Sequence, residues 1–299
     1  MAGVAPKERR TALQILSYIG LIYAALAWGS TFIMVKSAAM ETGPLLLVAY
    51  RFGVAGLVMT LYLLLAGTPL FHHLRAGVGL GALIALMYIT QTVGLVYTSA
   101  TNSGFITGLF VVFLPLFVFL FERKGPTYRD GAVILLALLG LWLLTGGLHG
   151  ANAGDLITVV AAAAYAAYIP LVDRALRDGA RPFTLLTQSF VVTSAIAFLG
   201  AVMLRESFSA GNVNLWGVII FLALVPSLSA YLAQFFAQRY VLPLAVGATF
   251  LLEPVFATLF SVYWGKEPFS DMQFTGGLVI LLAMAASFDW KRASRGEAA

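Results

Sequence analysis

The sequence predicts an all-α polytopic membrane protein whose ten transmembrane helices form two inverted five-helix repeats. Composition, the spacing of apolar runs and an internal match carry that prediction. Of 299 residues, 61% are hydrophobic and 10% charged, with a mean hydropathy of +0.92, far from the roughly 25% charged residues of soluble domains. At about 20 apolar residues per crossing, this content suffices for roughly ten helices. The runs are rich in Ala, Leu and Gly and lack period-two alternation. They therefore read as helices that satisfy their own backbone in lipid, not as barrel strands.

Taken in order, the apolar runs place helices at Ile15–Val35, Pro44–Ala66, Gly77–Tyr97, Gly104–Phe121 and Gly131–Leu144. The second half adds Leu156–Val172, Phe183–Met203, Leu215–Ala237, Val241–Tyr263 and Phe274–Phe288. The first run follows Lys7, Arg9 and Arg10 but has no small-residue cleavage site leading into soluble sequence, so it reads as a retained helix. Loops of at most about a dozen residues leave no room for an aqueous domain.

Charge orients the helices. Of 18 Lys and Arg, all but Lys36, Arg205, Lys266 and the intramembrane Arg51 fall on the side of the amino terminus. By the positive-inside rule both termini are cytoplasmic, and the regular alternation requires an even number of spans. The formal +5 charge thus sets topology and does not mark a nucleic-acid surface. With no Cys, disulfides, thiol catalysis and thiolate metal sites are excluded.

Gly131–Ala137 (GAVILLA) matches Gly277–Ala283 (GLVILLA) at six of seven positions, with an offset of 146. Upstream, Gly108 and Pro115 align with Gly247 and Pro254 at an offset of 139. The chain then divides into a first repeat at 1–150 and a second at 151–299. An odd number of helices per repeat forces the two halves to face opposite ways, the design in which two bundles rock about a midplane site. That points to a carrier. No Walker loop is present, so transport is predicted to be secondary, without cofactors.

Further residues carry a resemblance. The first helix contains Ala27-Trp28-Gly29-Ser30-Thr31-Phe32 and the second Arg51-Phe52. The fourth and ninth contain Leu114-Pro115 and Leu252-Glu253-Pro254-Val255-Phe256-Ala257, and Glu122 and Glu267 each precede a helix-opening glycine by nine residues. Across nearly the whole chain this resembles the drug/metabolite transporter superfamily, EamA type. The resemblance implies a carrier of the bacterial inner membrane that exports amino acids, other metabolites or drugs through a cavity lined by helices 1, 3, 4, 6, 8 and 9. Two departures bear on substrate: Tyr165 stands where related sequences often have Trp, and the tenth helix lacks a counterpart of Gly140.

Glu253 lies roughly 15 to 18 Å into the ninth helix, near the centre of a roughly 30 Å core. A carboxylate there is costly. It is a candidate proton-coupling site or partner for a cationic solute, or else a structural group serving the backbone that Pro254 leaves unpaired. Arg51 lies at a comparable depth, close enough for a structural ion pair with Glu253, or else it snorkels. Lys36 and Asp173 occupy equivalent repeat positions and read as helix-end anchors or gate residues. Helical spacing groups Trp28 with Thr31, Tyr88 with Gln91 and Thr92, Tyr165 with Tyr168, Ser227 with Tyr231 and Gln234, and Thr249 with Glu253. Each stripe is predicted to face one substrate pocket, the alternatives being interhelical hydrogen bonds and interfacial belts. Aromatic walls with one carboxylate suit an amphipathic organic solute better than an inorganic ion.

Pro115, Pro226 and Pro254 are predicted to bend or interrupt their helices. Gly77, Gly79, Gly81, Gly104 and Gly108 read as packing faces. His72, His73 and His149 lie in loops without carboxylates at ligand spacing, so no metal site is expected. An importer working by facilitated diffusion, a channel and a membrane-embedded enzyme are the competing readings. The enzyme would need a His or carboxylate cluster near one interface, which the sequence lacks. Ten helices complete in one chain predict a monomer whose partners are a small solute, the bilayer and a proton, with no nucleic acid.

Overall fold

The computed structural model describes residues 7–123, 125, 127–147, 152–207, 213–265 and 270–287. Lys124, His149, Lys266, Glu267, Lys291, Arg292 and Arg295 lie outside the described residues, as do the side chains of Lys7, Arg9 and Arg10. The described residues are helical, without strands, in the order α1 Lys7–Gly29, α2 Phe32–Thr42, α3 Pro44–Leu65, α4 Leu74–Tyr97, α5 Ala100–Gly108, α6 Phe110–Glu122 and α7 Tyr128–Thr145. Then follow α8 Ala153–Arg177, α9 Pro182–Met203, α10 Val213–Leu222, a π-helical turn at Ala223–Ser229, α11 Ala230–Ala237, α12 Pro243–Phe250, α13 Leu252–Gly265 and α14 Asp271–Ser287.

Among the described residues, nine helical segments are long and apolar enough to cross a membrane. The last, α14, has 17 residues and spans about 26 Å. The protein is a multi-pass membrane protein.

Four of the expected continuous helices are broken, each for a local reason. Between α1 and α2 the hydroxyls of Ser30 and Thr31 bond back to the carbonyls of Ala27 (2.8 Å) and Trp28 (2.7 Å), competing with the backbone ladder. At Leu109 the amide is shared between the carbonyls of Phe105 and Ile106, a tightened turn ahead of Pro115. At Leu251 the helix is interrupted three residues before Pro254, whose missing N–H leaves the Phe250 carbonyl without its helical donor. The eighth run passes through the π turn, which contains Pro226.

The bundle is closed by pairs of helices distant in sequence: α7 lies along α14, α3 along α9, and α4 packs on both α8 and α9, while α1 contacts α11 and α13. Glycine permits the closest approach. A Cβ on Gly140 would stand 2.9 Å from the Ile280 amide nitrogen and 3.0 Å from the Gly276 carbonyl oxygen. Of the five glycines expected to pack, Gly77 meets Gln188, Gly81 meets Val192 and Gly108 meets Leu141. The other two correct that expectation. Gly79 and Gly104 have nothing within 4 Å of a Cβ, Gly79 because its side of α4 is exposed and Gly104 because α5 faces a cavity there.

Helix ends carry their own chemistry. Thr127 with Asp130 and Asn152 with Asp155 form capping boxes at the starts of α7 and α8. The start of α3 has Gly43 at its cap and Pro44 in its first turn, so it supplies no capping side chain. Glu206, beyond α9, replaces one: its carboxylate accepts from the amides of Leu45 (3.1 Å) and Leu46 (2.8 Å). Glu206→Ala is expected to lower stability by about 1 kcal/mol, with Glu206→Gln in between, measured by thermal unfolding in detergent.

Candidate functional site

The π turn organises the centre of the bundle. Pro226 has no amide hydrogen to give the Leu222 carbonyl; the π turn pairs that carbonyl with Ser227 instead, and the Ser227 hydroxyl adds a second bond to it at 2.8 Å. The same hydroxyl oxygen accepts from Nε of Arg51. The Arg51 Nη2 reaches the Tyr88 hydroxyl at 3.5 Å, and the guanidinium carbon sits 4.6 Å from the centre of the Tyr88 ring, a cation–π contact. The indole N–H of Trp28 donates to the carbonyl of Pro226. One irregular turn thereby anchors side chains from α1 and α3, consistent with the frequent appearance of π-bulges at functional sites.

Around it the aromatic side chains pack edge to face. The Trp28 ring lies 4.9 Å from Phe250, 5.4 Å from Tyr231 and 6.0 Å from Tyr165. Tyr231 lies 5.9 Å from Tyr168 and 5.7 Å from Phe190, and Phe110 lies 5.2 Å from Tyr165. All are buried. Among the described residues the hydroxyls of Tyr165 and Tyr168 and Oε1 of Gln234 have no hydrogen-bond partner. Buried orphans are uncommon and each costs about 1–3 kcal/mol, so three together mark a place that could take something polar.

Glu253 sits in the first turn of α13, just beyond the Leu251 break, 6% exposed. Among the described residues its carboxylate makes no hydrogen bond or ion pair; the charge whose field acts on it is that of Arg51. The ion pair that their depths allow is not formed, because Ser227 and Tyr88 hold the guanidinium. The positive end of α13 is the other local support for the carboxylate.

Helical spacing therefore brings Trp28, Tyr88, Tyr165, Tyr168, Tyr231, Gln234 and Glu253 to one buried region. It does not bring Gln91, whose amide donates to the Thr107 hydroxyl at 3.0 Å, and the Thr31 hydroxyl is spent on the helix break. Lys36 donates to the Thr98 carbonyl at 2.6 Å. Asp173 and Glu122 each lie 2.8 Å from Nη2 of Arg177, linking α6 to α8. Phe110, Phe190 and Phe250 were not legible as members of the cluster, being apolar. Gln238 was: it stands four residues after Gln234 on the same stripe, receives the Gln234 amide at 3.0 Å and donates to the Ile169 carbonyl at 2.7 Å. Among the described residues no three His, Asp or Glu side chains converge as metal ligands.

A separate chamber of about 470 Å³ lies against this cluster. Its wall is formed by Gly29 to Met34 around the first helix break, except Thr31, by Ala100 and Gly104 of α5, Thr145 of α7, Phe221 of α10, Pro254, Ala257, Thr258 and Phe260 of α13, and Gln273 of α14. Gly29 and Thr145 end α1 and α7 and Ala100, Gly104 and Gln273 lie early in α5 and α14, so the chamber opens from the end of the bundle towards which α1 runs and reaches inward to Phe221, near the end of α10. The single pocket expected from the polar stripes is thus two regions. The aromatic rings fill their own space, and of the predicted positions only Pro254 reaches the chamber wall.

Comparisons with known proteins agree with this architecture. Residues 15–146 and 152–288 match the model of the EamA-like transporter family. An uncharacterized transporter of Archaeoglobus fulgidus is 32% identical over 268 residues, covering 89% of this chain and 83% of its own. The uncharacterized inner membrane transporter YedA of Escherichia coli is 27% identical over 290 residues, covering 91% and 90%. A crystal structure 20% identical in sequence superposes with a TM-score of 0.74 over 93% of this chain and 98% of its own. With the family model matched along both halves, the chain belongs to the EamA-like transporter family.

Proposed function

We propose that the protein is a secondary transporter of small amphipathic organic solutes, such as amino acids or aromatic drugs, that works by alternating access and exports them across a bacterial inner membrane. In this reading, ten spans form two inverted repeats at 1–150 and 151–299, both termini are cytoplasmic and the unit is a monomer. Tandem matching of one family model supports the duplication, and the short α14 serves as the tenth span. The chamber towards one end corresponds to an open access path, and the packed aromatic cluster at the centre to a site closed on itself.

The observation that carries the reading is Glu253, a buried carboxylate without a hydrogen-bond partner among the described residues, beside an open chamber and among orphan hydroxyls. Burying such a group is costly unless function retains it. A proton and a cationic solute group are the two ligands that relieve it, which makes Glu253 the coupling residue. Trp28, Tyr88, Tyr165, Tyr168, Tyr231 and Gln234 form the remainder of the solute site, while Thr31 supports it from the helix break and Gln91 from α4, where it ties that helix to Thr107 of α5.

Entrance counterflow in proteoliposomes tests this, scanning labelled amino acids and aromatic cations with and without an imposed pH gradient. Saturable exchange is expected. Glu253→Gln is expected to lose gradient-driven uptake while retaining exchange. Electrical leak without saturation would replace the carrier with a channel, and gradient-driven uptake surviving in Glu253→Gln would remove Glu253 from coupling.

A further inference from the structure

We propose that the chamber is a subsite for the hydrocarbon body of an organic cation whose charged head is taken by Glu253, and that it is filled sideways from the bilayer past Ile33 and Phe221. The cationic head rests on the function proposed above; the apolar subsite and its mouth rest on the chamber itself.

Among the described residues the wall of the chamber carries no charged side chain. Its hydroxyls are already committed, each to a carbonyl of its own helix: Ser30 to Ala27 at 2.8 Å, Thr145 to Leu141 at 2.8 Å and Thr258 to Pro254 at 2.9 Å. The Gln273 amide oxygen accepts from the Ser270 amide at 3.0 Å. A solute in the chamber thus finds almost no donor to replace its hydration, which selects against a fully polar molecule and favours apolar surface. The volume falls within the roughly 300–1,000 Å³ of small-molecule sites. The floor is formed by Gly29 and Pro254, whose chain neighbours Trp28 and Glu253 belong to the buried cluster. In the proposed binding mode an elongated cation with its body in the chamber reaches past this floor, so that its head meets the carboxylate.

The mouth is defined by residues that belong to two surfaces. Ile33 lines the chamber yet is exposed on α2, on a face shared with Met40 and the polar Ser37 and Glu41, and Phe221 lines it yet is exposed on α10 with Gly217 and Ile220 and with Leu224 of the π turn. In a membrane-spanning bundle the exposed apolar stripe around Phe221 faces hydrocarbon, so the opening beside it faces the membrane, with Ile33 at its outer, more polar edge.

The test uses the full chain in nanodiscs and radiolabelled n-alkyltrimethylammonium ions with chains from methyl to octyl, with n-octanol as an uncharged probe and protein-free discs subtracted. Affinity is expected to rise about fourfold per added methylene. Gly104→Phe fills the chamber from a position where a side chain meets nothing; it is expected to flatten that slope while leaving tetramethylammonium binding within about twofold, with Gly104→Leu, a smaller graft, intermediate. An unchanged slope in Gly104→Phe overturns the subsite. Octanol binding that Gly104→Phe removes and Glu253→Gln does not keeps the subsite and overturns the cationic head. Charge-dependent binding with a flat chain-length series keeps the head and overturns the subsite.

Because the chain has no Cys, Ile33→Cys reports the mouth directly. It is expected to react with a lipid-soluble maleimide and to be protected by octyltrimethylammonium. Reaction with a charged thiol reagent as fast as at the exposed control Tyr128→Cys overturns lateral entry.

Discussion

Gly29→Leu is expected to reduce counterflow to background while the protein still inserts and elutes as a folded species. Gly29 ends α1 where it crosses α13, and a Cβ there would lie 2.6 Å from the Glu253 carbonyl oxygen, 2.8 Å from the Phe256 Cβ and 3.0 Å from the Ala257 amide nitrogen. Two of these three are backbone atoms, which no rotamer change can move. Accommodation requires α1 and α13 to separate, displacing Glu253 and the chamber floor together. A misplacement of about 1 Å can cost a site on the order of a hundredfold in rate. Gly29→Ala meets the same atoms with a smaller group and should fall between. Gly79→Leu is the control, since nothing lies within 4 Å of a Cβ there. Wild-type exchange by Gly29→Leu would show that the crossing does not position the site.

The nine long spans were legible because apolar runs of about 20 residues have few other readings, and α14 was legible as a shorter apolar helix. The helix breaks were legible only in part. Pro226 marks a disturbance, but the π turn also depends on the Ser227 hydroxyl reaching Leu222 and on Arg51 and Trp28 arriving from other helices, and no sequence window contains all four. The stripes of Trp28, Tyr165, Tyr168 and Tyr231 meet in one cluster because helical periodicity fixes the face each side chain occupies. Which faces then meet is a matter of packing. Gln91 shares a stripe with Tyr88 but looks towards Thr107. The chamber was illegible for a different reason: a space lined by Gly, Ala, Pro and Phe has no polar signature, and Gly104 looked like one half of a packing pair with Gly108 until nothing was found opposite it.

Ser227→Ala is expected to destabilise the protein by about 2 kcal/mol, a large effect for removing one oxygen. Side-chain hydrogen bonds between neutral groups in membrane proteins average about 0.6 kcal/mol, whereas a bond to a charged group is worth about 1.5–3 kcal/mol. The second value applies because the lost acceptor serves Arg51, which is 4% exposed and would keep only its 3.5 Å contact with Tyr88 and the ring faces nearby. The Leu222 carbonyl also loses one of its donors, the Ser227 hydroxyl. Ser227→Thr keeps the hydroxyl and should recover most of the loss. Arg51→Met places an apolar chain of similar length in the same space, a change that is often neutral or stabilising for buried ions. Adding Ser227→Ala to Arg51→Met should therefore cost well under the single substitution, with a coupling of about 1–2 kcal/mol from the four unfolding measurements. Additive losses would mean that Ser227 acts on the π turn alone and that Arg51 is held elsewhere.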